Sequence, residues 1–287
     1  VCGEMDSPEL QWFYRYNWDD LPLVAEGLTG VLKEAAEGCE VMVTWGERCW
    51  YNVVASRVAA ELGVRHVRLE RAAFPGMLLV DGDGLDYGTS EITERYRNHT
   101  LSGCELSALQ EWAAIASAQT IECQGASPMS RLLELVGDQK FVLVPLQVPF
   151  DTNMVFRTVG EVTTNLELVD YAVEHYGSDH TILVKQHPAD QFSYQERLFW
   201  ECHKRGATLV DHGLSDLLDG TEKIVSMSSQ VVIDGALRGV PFELVGSPGF
   251  WPKVGHVDVK RWLHTLRFEY FISPIRFTGR LRDLCQT

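Results

Sequence analysis

Across its 287 residues the chain has no run approaching the ~20 consecutive apolar residues that a membrane-spanning helix needs. Its first residues, VCGEMDSPEL, hold neither a basic region nor an apolar core, so no secretory leader is expected there. The lack of an initiator Met suggests a fragment or a processed chain. Basic residues are the scarcer charge: 25 Lys and Arg stand against 40 Asp and Glu, giving a net charge of −15 and a pI near 5.0. That sign opposes nucleic acid as a partner and disfavours general attraction to anionic membranes. Paired cysteine motifs are missing too. Cys2, Cys39, Cys49, Cys104, Cys123, Cys202 and Cys285 form no C-x-x-C pair and no Cys/His cluster at zinc spacing. Reduced, mostly buried thiols in a cytoplasmic protein are expected, with no bound metal. Gly82 and Gly84 are not part of a G-x-G-x-x-G, which removes the dinucleotide fingerprint. Asp81, Asp83 and Asp86 lack the later glutamate of an EF-hand loop. There is no internal repeat and no low-complexity tract.

What is present reads as a globular α/β protein. A hydrophobic fraction of 45% with 10% aromatics supports substantial cores. In the first half, apolar spacing predicts a helix over 18–38, a strand over 41–46, a helix from Trp50 to Leu62 and strands over 66–70 and 77–81. The turn GDGLDYG and helical patterns over 90–98 and 105–118 follow. From Thr120 to Gln139 the pattern loosens, which sets a domain boundary between residues 1–125 and 139–287. Beyond it strands are predicted over 141–148, 181–186, 207–211, 222–227 and 241–246, with helices between them. Regular alternation with short loops predicts a doubly wound parallel sheet, and two α/β units with a cleft between them are the expected architecture. The basic, aromatic segment VKRWLHTLRFEYFISPIRFTGRLRDL reads as an amphipathic helix packing back onto the fold, or as a surface for a lipid-linked or polymeric acceptor.

In a parallel sheet the carboxyl ends of the strands share one edge, where ligands bind. Polar residues gather at those ends here. PLQVPFDTN places Gln147 at a strand end and Asp151 beyond it, as a base, a nucleophile or simply a turn residue. KQHP puts Lys185 and His187 on one face and ends the strand at Pro188, a pairing suited to phosphate or carboxylate. KIVSMSSQVVIDGALRG runs a strand into Ser228 and Ser229, an anion site or plain N-capping serines, and then into a helix whose Asp234 either hydrogen-bonds a ligand or faces solvent. Glu70, at a strand end in the first unit, is placed to face the cleft.

The series Glu70, Asp81-x-x-Gly84-Leu85-Asp86, PLQVPFD, KQHP and SSQVVIDGALRGVP resembles the capsule polysaccharide biosynthesis family (the KpsC, KpsS and LipB group), over roughly Glu70 to Gly246. Its members include retaining β-Kdo glycosyltransferases. KQHP stands where that family has K-P-H-P, and the serine turn, helix and Gly-Val-Pro follow in the family's order. The resemblance implies two Rossmann-like units in a GT-B-like arrangement, an acceptor-side domain over 1–125 and a nucleotide-sugar domain over 139–287. It implies CMP-Kdo as donor substrate, no cofactor or metal, and a glycan or lipid-linked glycan acceptor. The expected location is the cytoplasm, at the inner face of the membrane through peripheral association. Asp151 becomes the nucleophile and Glu70 an acid/base or acceptor contact. His187, Pro188, Ser228, Ser229 and Asp234 hold the donor, with Gln147 and Lys185 orienting it. The chain departs from the family where Arg71 and Ala72 replace a Glu-x-Gly continuation, where Asp234 replaces a glutamate, and where Asp86 replaces an Asn. A different nucleotide sugar, or a non-catalytic glycan- or nucleotide-binding module in assembly or export, is the alternative.

Overall fold

The computed structural model describes residues 21–46, 50–74, 76–82, 100–118, 136–137, 140–149, 162–190, 193–245 and 258–286. By its internal contacts the chain divides into two units, 1–92 together with 266–287, and 93–265. No helix among the described residues is long and apolar enough to cross a membrane.

The first unit carries a four-stranded sheet in the order β1 (Val41–Trp45), β2 (Arg65–Arg71), β3 (Leu78–Asp81), β9 (Phe271–Ile272). Helix α1 (Leu21–Ala36) precedes β1; β1 and β2 are parallel, joined through helix α2 (Trp50–Leu62), while β2–β3 and β3–β9 are antiparallel. Period-two alternation sorts β2 into two faces. Val67 and Leu69 join Val80, Ile272, Phe277 and Leu281 in one apolar cluster. His66 and Arg68 lie on the other face, where Ser56 Oγ of α2 lies 3.0 Å from His66 Nδ1 and Thr44 Oγ1 of β1 lies 2.8 Å from its Nε2. Burial, with a smaller push from Arg68, lowers the His66 imidazole to about 4 and keeps it neutral at pH 7. Asp81 is fully buried, and its carboxylate accepts a 2.7 Å hydrogen bond from Tyr270 Oη. This tie anchors the chain's last segment to β3.

That segment differs from the sequence expectation of one amphipathic helix. Instead it comprises α8 (Val259–His264), a π-turn (Thr265–Tyr270), β9, a 3-10 turn (Pro274–Arg276) and α9 (Phe277–Gln286). A strand of two residues leaves no alternation to read, so only its partner reveals it.

The second unit is built on a five-stranded, all-parallel sheet in the order β6 (Thr208–Val210), β5 (Thr181–Lys185), β4 (Phe141–Pro145), β7 (Thr221–Ser226), β8 (Phe242–Leu244). Counted from β4, that order is 3-2-1-4-5, the doubly wound arrangement. Every residue of β4 is buried, as expected for a central parallel strand covered on both faces. Helix α3 (Gly103–Ala118) precedes the sheet in the chain, and helices α4 (Asn165–Tyr176), α5 (Gln195–Lys204), α6 (Leu214–Gly220) and α7 (Val231–Leu237) make the crossovers. A capping box starts α4, with Thr164 Oγ1 accepting from Glu167 N at 3.2 Å and Glu167 Oε2 accepting from Thr164 N at 2.9 Å. Val142, Val144, Leu168, Val169, Ile182 and Val184, all at or below 1% exposure, form the centre of the core. Gly235 lets α7 lie on β7: a Cβ there would come within 2.2 Å of Ile224 Cδ1. The α/β class with two units, read from strand and helix alternation, is the one observed.

Candidate functional site

A 3-2-1-4-5 sheet has its topological switch point between strands 1 and 4, here β4 and β7, and a crevice opens outside their carboxyl ends. Gln147 follows β4 and Ser228 follows β7. The two meet: Gln147 Nε2 lies 3.5 Å from Ser228 Oγ, at the outer limit of a hydrogen bond. Gln147 is held by Asn165 at the start of α4. Its backbone N–H donates to Asn165 Oδ1 at 3.0 Å, and its carbonyl accepts from Asn165 Nδ2 at 2.8 Å. This pair of bonds fixes the segment leaving β4 against the helix that follows it. Asn165 was not singled out in the sequence, where it reads as an ordinary helix-start residue. Asp151 lies outside the described residues.

The next strand, β5, delivers Lys185 and His187. Lys185 Nζ donates to the carbonyl of His212 at 2.7 Å, so the ammonium is drawn toward the loop after β6. His187 sits in a tight turn in which Asp190 N donates to its carbonyl at 2.9 Å. Ala189 N–H donates to His187 Nδ1 at 3.1 Å, which assigns the neutral ring's proton to Nε2 and makes that nitrogen a donor. Gln186 and Asp190 brace the turn: Gln186 Nε2 donates to Asp190 Oδ2 at 3.2 Å, and Asp190 Oδ1 accepts from Ser193 N at 3.0 Å. Pro188 is exposed. A fixed N–H donor and an ammonium delivered by one strand end suit an anionic oxygen.

The serine turn is less symmetric than its sequence suggests. Ser229 N–H donates to Ser226 Oγ at 3.0 Å, and Ser229 Oγ accepts from Val231 N at 3.3 Å, so the buried Ser229 holds the turn. Ser228 is the member beside Gln147. The helix begins only at Val231 and spans seven residues, so its dipole contributes little. Asp234, in its first turn, has its carboxyl pushed up to about 6 by burial, against the opposing pull of Arg238. Arg238 is itself engaged by Asp219 Oδ1 at 2.5 Å and Ser215 Oγ at 3.0 Å.

Glu70 belongs to the first unit and lies inside β2, one residue before its end. Its Oε1 accepts from Arg71 N at 3.0 Å, and its Oε2 lies near Gly46, whose φ of +78° and close neighbour Asn52 leave no room for a side chain. Among the described residues no three His, Cys, Asp or Glu side chains cluster as a metal site would. The structure therefore brings Gln147, Lys185, His187 and Ser228 to one sheet edge, with Ser229 and Asp234 behind it. Glu70 stands on the other unit's sheet.

The model of one protein family, described as capsule polysaccharide biosynthesis protein, matches residues 89–252, more than half of the chain. Among solved structures, the fold is similar to Thermosulfurimonas dismutans KpsC, named a β Kdo 2,7 transferase, at 19% identity and a TM-score of 0.64, with 88% of each chain covered. It is also similar to T. dismutans KpsC named a β Kdo 2,4 transferase, at 16% identity and a TM-score of 0.61, covering 88% of this chain and 87% of that one. At these identities the likeness is one of fold. No curated protein matches the sequence.

Proposed function

The chain belongs to the capsule polysaccharide biosynthesis family, and from that premise we propose that it is a glycosyltransferase moving Kdo from CMP-Kdo onto a glycan or lipid-linked glycan. The observation that carries this reading is the meeting of Gln147 and Ser228 at the switch point, with His187 and Lys185 one strand away. An anionic, phosphate-linked donor suits that edge. The family's retaining members and the two KpsC structures of similar fold favour Kdo as the sugar.

The chemistry proposed is a double displacement. The Asp151 carboxylate attacks the anomeric carbon as the bond to the CMP oxygen breaks, which leaves a glycosyl-enzyme and free CMP. An acceptor hydroxyl then attacks the same carbon, gives up its proton to a base and releases Asp151, so configuration is retained overall. Charge grows on the departing phosphate in the first step. His187 Nε2–H, the Lys185 ammonium and the Ser228 hydroxyl are fixed donors for it, and no metal is called on. Asp234 holds the nucleotide and Glu70 serves as acid/base or acceptor contact in this proposal. The expected site of action is the cytoplasmic face of the membrane, where a lipid-linked acceptor is available.

The test uses CMP-Kdo generated in situ with Asp151→Asn. Transfer should be lost while CMP still raises the melting temperature, and the wild type should show a covalent sugar adduct by intact mass. Undiminished transfer by Asp151→Asn would remove the nucleophile. No CMP effect on the wild type would remove the CMP-sugar donor.

A further inference from the structure

One buried polar side chain at the same sheet edge takes no part in the arrangement above. His212 follows β6 in the segment Asp211–His212–Gly213, is 5% exposed, and has no hydrogen-bond partner among the described residues at either Nδ1 or Nε2. The Asp211 carboxylate is 3.9 Å from Nδ1, beyond hydrogen-bond range. Buried polar atoms are almost always paired, so a ring with both nitrogens unpaired is a group that an incoming ligand can satisfy.

Its position says what that ligand is. The His212 carbonyl holds the Lys185 ammonium at 2.7 Å, so the loop that carries the imidazole also positions the cation offered to phosphate. β6 lies two strands from β4, roughly 10 Å along the edge at the usual strand spacing. A nucleotide whose phosphate sits by Lys185 and His187 therefore extends its base toward β6 if its sugar-bearing end points to the switch point. A neutral imidazole offers one N–H donor and one acceptor, the complement of a base edge. Space adjoins the loop as well. A recess of about 400 Å³ is lined by Phe199, Leu209 and Val210, with Gln195, Glu196 and Asp211 supplying polar groups. Carboxylates at its rim are acceptors for the exocyclic amine of cytosine.

We propose that the loop Asp211–Gly213 is the base-reading end of the donor site, with the His212 imidazole hydrogen-bonding an aminopyrimidine base. The ring is shielded as it stands, so it turns toward the edge when the base enters, a side-chain change of the kind common on ligand binding. This inference rests on the nucleotide-sugar reading above and adds the group that recognises the base.

Calorimetric titration of the wild type, His212→Phe and His212→Asn with CMP, UMP and ribose 5-phosphate tests it. The wild type should favour CMP over UMP. His212→Phe should bind CMP about tenfold more weakly, the loss of one hydrogen bond, and ribose 5-phosphate as before. His212→Asn, which keeps a donor and an acceptor on a shorter arm, should fall between, and it carries the test if the Phe variant does not fold. Unchanged CMP affinity in either folded variant, or an equal loss for CMP and ribose 5-phosphate, overturns the inference alone. A wild type that binds neither CMP nor UMP overturns the nucleotide-sugar reading, and this inference with it.

Discussion

The packing of α7 on β7 decides where the serine turn and Asp234 stand, and Gly235 is its closest point. A Cβ added there would lie 2.2 Å from Ile224 Cδ1, while its next neighbours, Ile224 Cγ1 and Leu218 Cδ2, would lie at 3.6 Å. Carbon atoms pack comfortably at about 3.5–4.0 Å, so only the terminal methyl of Ile224 obstructs the new atom. Ile224 is fully buried and cannot swing into solvent. Gly235→Ala should therefore incur an overpacking cost of about 1–3 kcal/mol. Against this stands a gain of about 1 kcal/mol from replacing Gly by Ala inside a helix. The balance is a net destabilisation on the order of 1 kcal/mol in the wild-type background. Ile224→Val deletes the obstructing methyl and alone should cost about 0.5–1.5 kcal/mol. In that background the clash is gone and the helix gain remains, so Gly235→Ala should become stabilising. Urea denaturation of the four proteins of the cycle, followed by tryptophan fluorescence, measures both effects. A Gly235→Ala effect of the same sign and size in both backgrounds would refute the argument, because it would mean the methyl was never the obstacle.

Asp234 makes stability depend on pH in a defined direction. Its carboxyl sits at about 6 in the folded chain against about 3.9 unfolded, so the folded state holds the proton more tightly. Stability from this group is full below about pH 4 and is lost as pH rises through 6, by at most about 3 kcal/mol. Asp234→Asn should then be more stable than wild type at pH 7–8 and equal to it near pH 4; a gap that is constant across pH would contradict the burial argument. Asn165→Ala removes both bonds to the Gln147 backbone, and leaving those groups unpaired should cost about 1–3 kcal/mol in urea denaturation. CMP affinity should fall in parallel, and a variant as stable as wild type would show that water replaces the clamp.

Much of the second unit's layout was legible because its strands are covered on both faces. Such strands read as unbroken apolar runs, and FVLVP and TILVK could be bounded within a few residues. Strand order was not legible, since sequence alternation fixes which elements are strands without saying which neighbours pair. The order became visible only through the registers that put β4 between β5 and β7. The first unit was harder. β2 alternates clearly, but β9 is two residues long and lies far along the chain from the strand it pairs with. The tie between Tyr270 and Asp81 joins residues that no local pattern connects.

The site shows the same division. Residue types suited to an anionic ligand could be found at strand ends, yet their availability depends on what already holds them. The two serines looked equivalent, and hydrogen bonding separates them: Ser229 maintains the turn and Ser228 adjoins Gln147. KQHP marked His187 in the sequence, but its tautomer became readable only from the Ala189 N–H that donates to Nδ1. His212 was hidden inside ATLVDHG, which reads as a strand and a turn, and what sets it apart is a buried ring with both nitrogens unpaired among the described residues. These distinctions matter more here than total charge. With a net charge of −15 the chain as a whole repels an anionic donor, but beyond about 8 Å that repulsion is screened at physiological salt. An anion can be held only by donors within contact distance whose orientation is already fixed. The Lys185 ammonium drawn to the His212 carbonyl and the His187 Nε2–H set by its turn are such donors, and they share one edge of one sheet. In the proposed function, recognition of a phosphate by this acidic chain therefore depends on the loops after β5 and β6 moving as little as the strands that carry them.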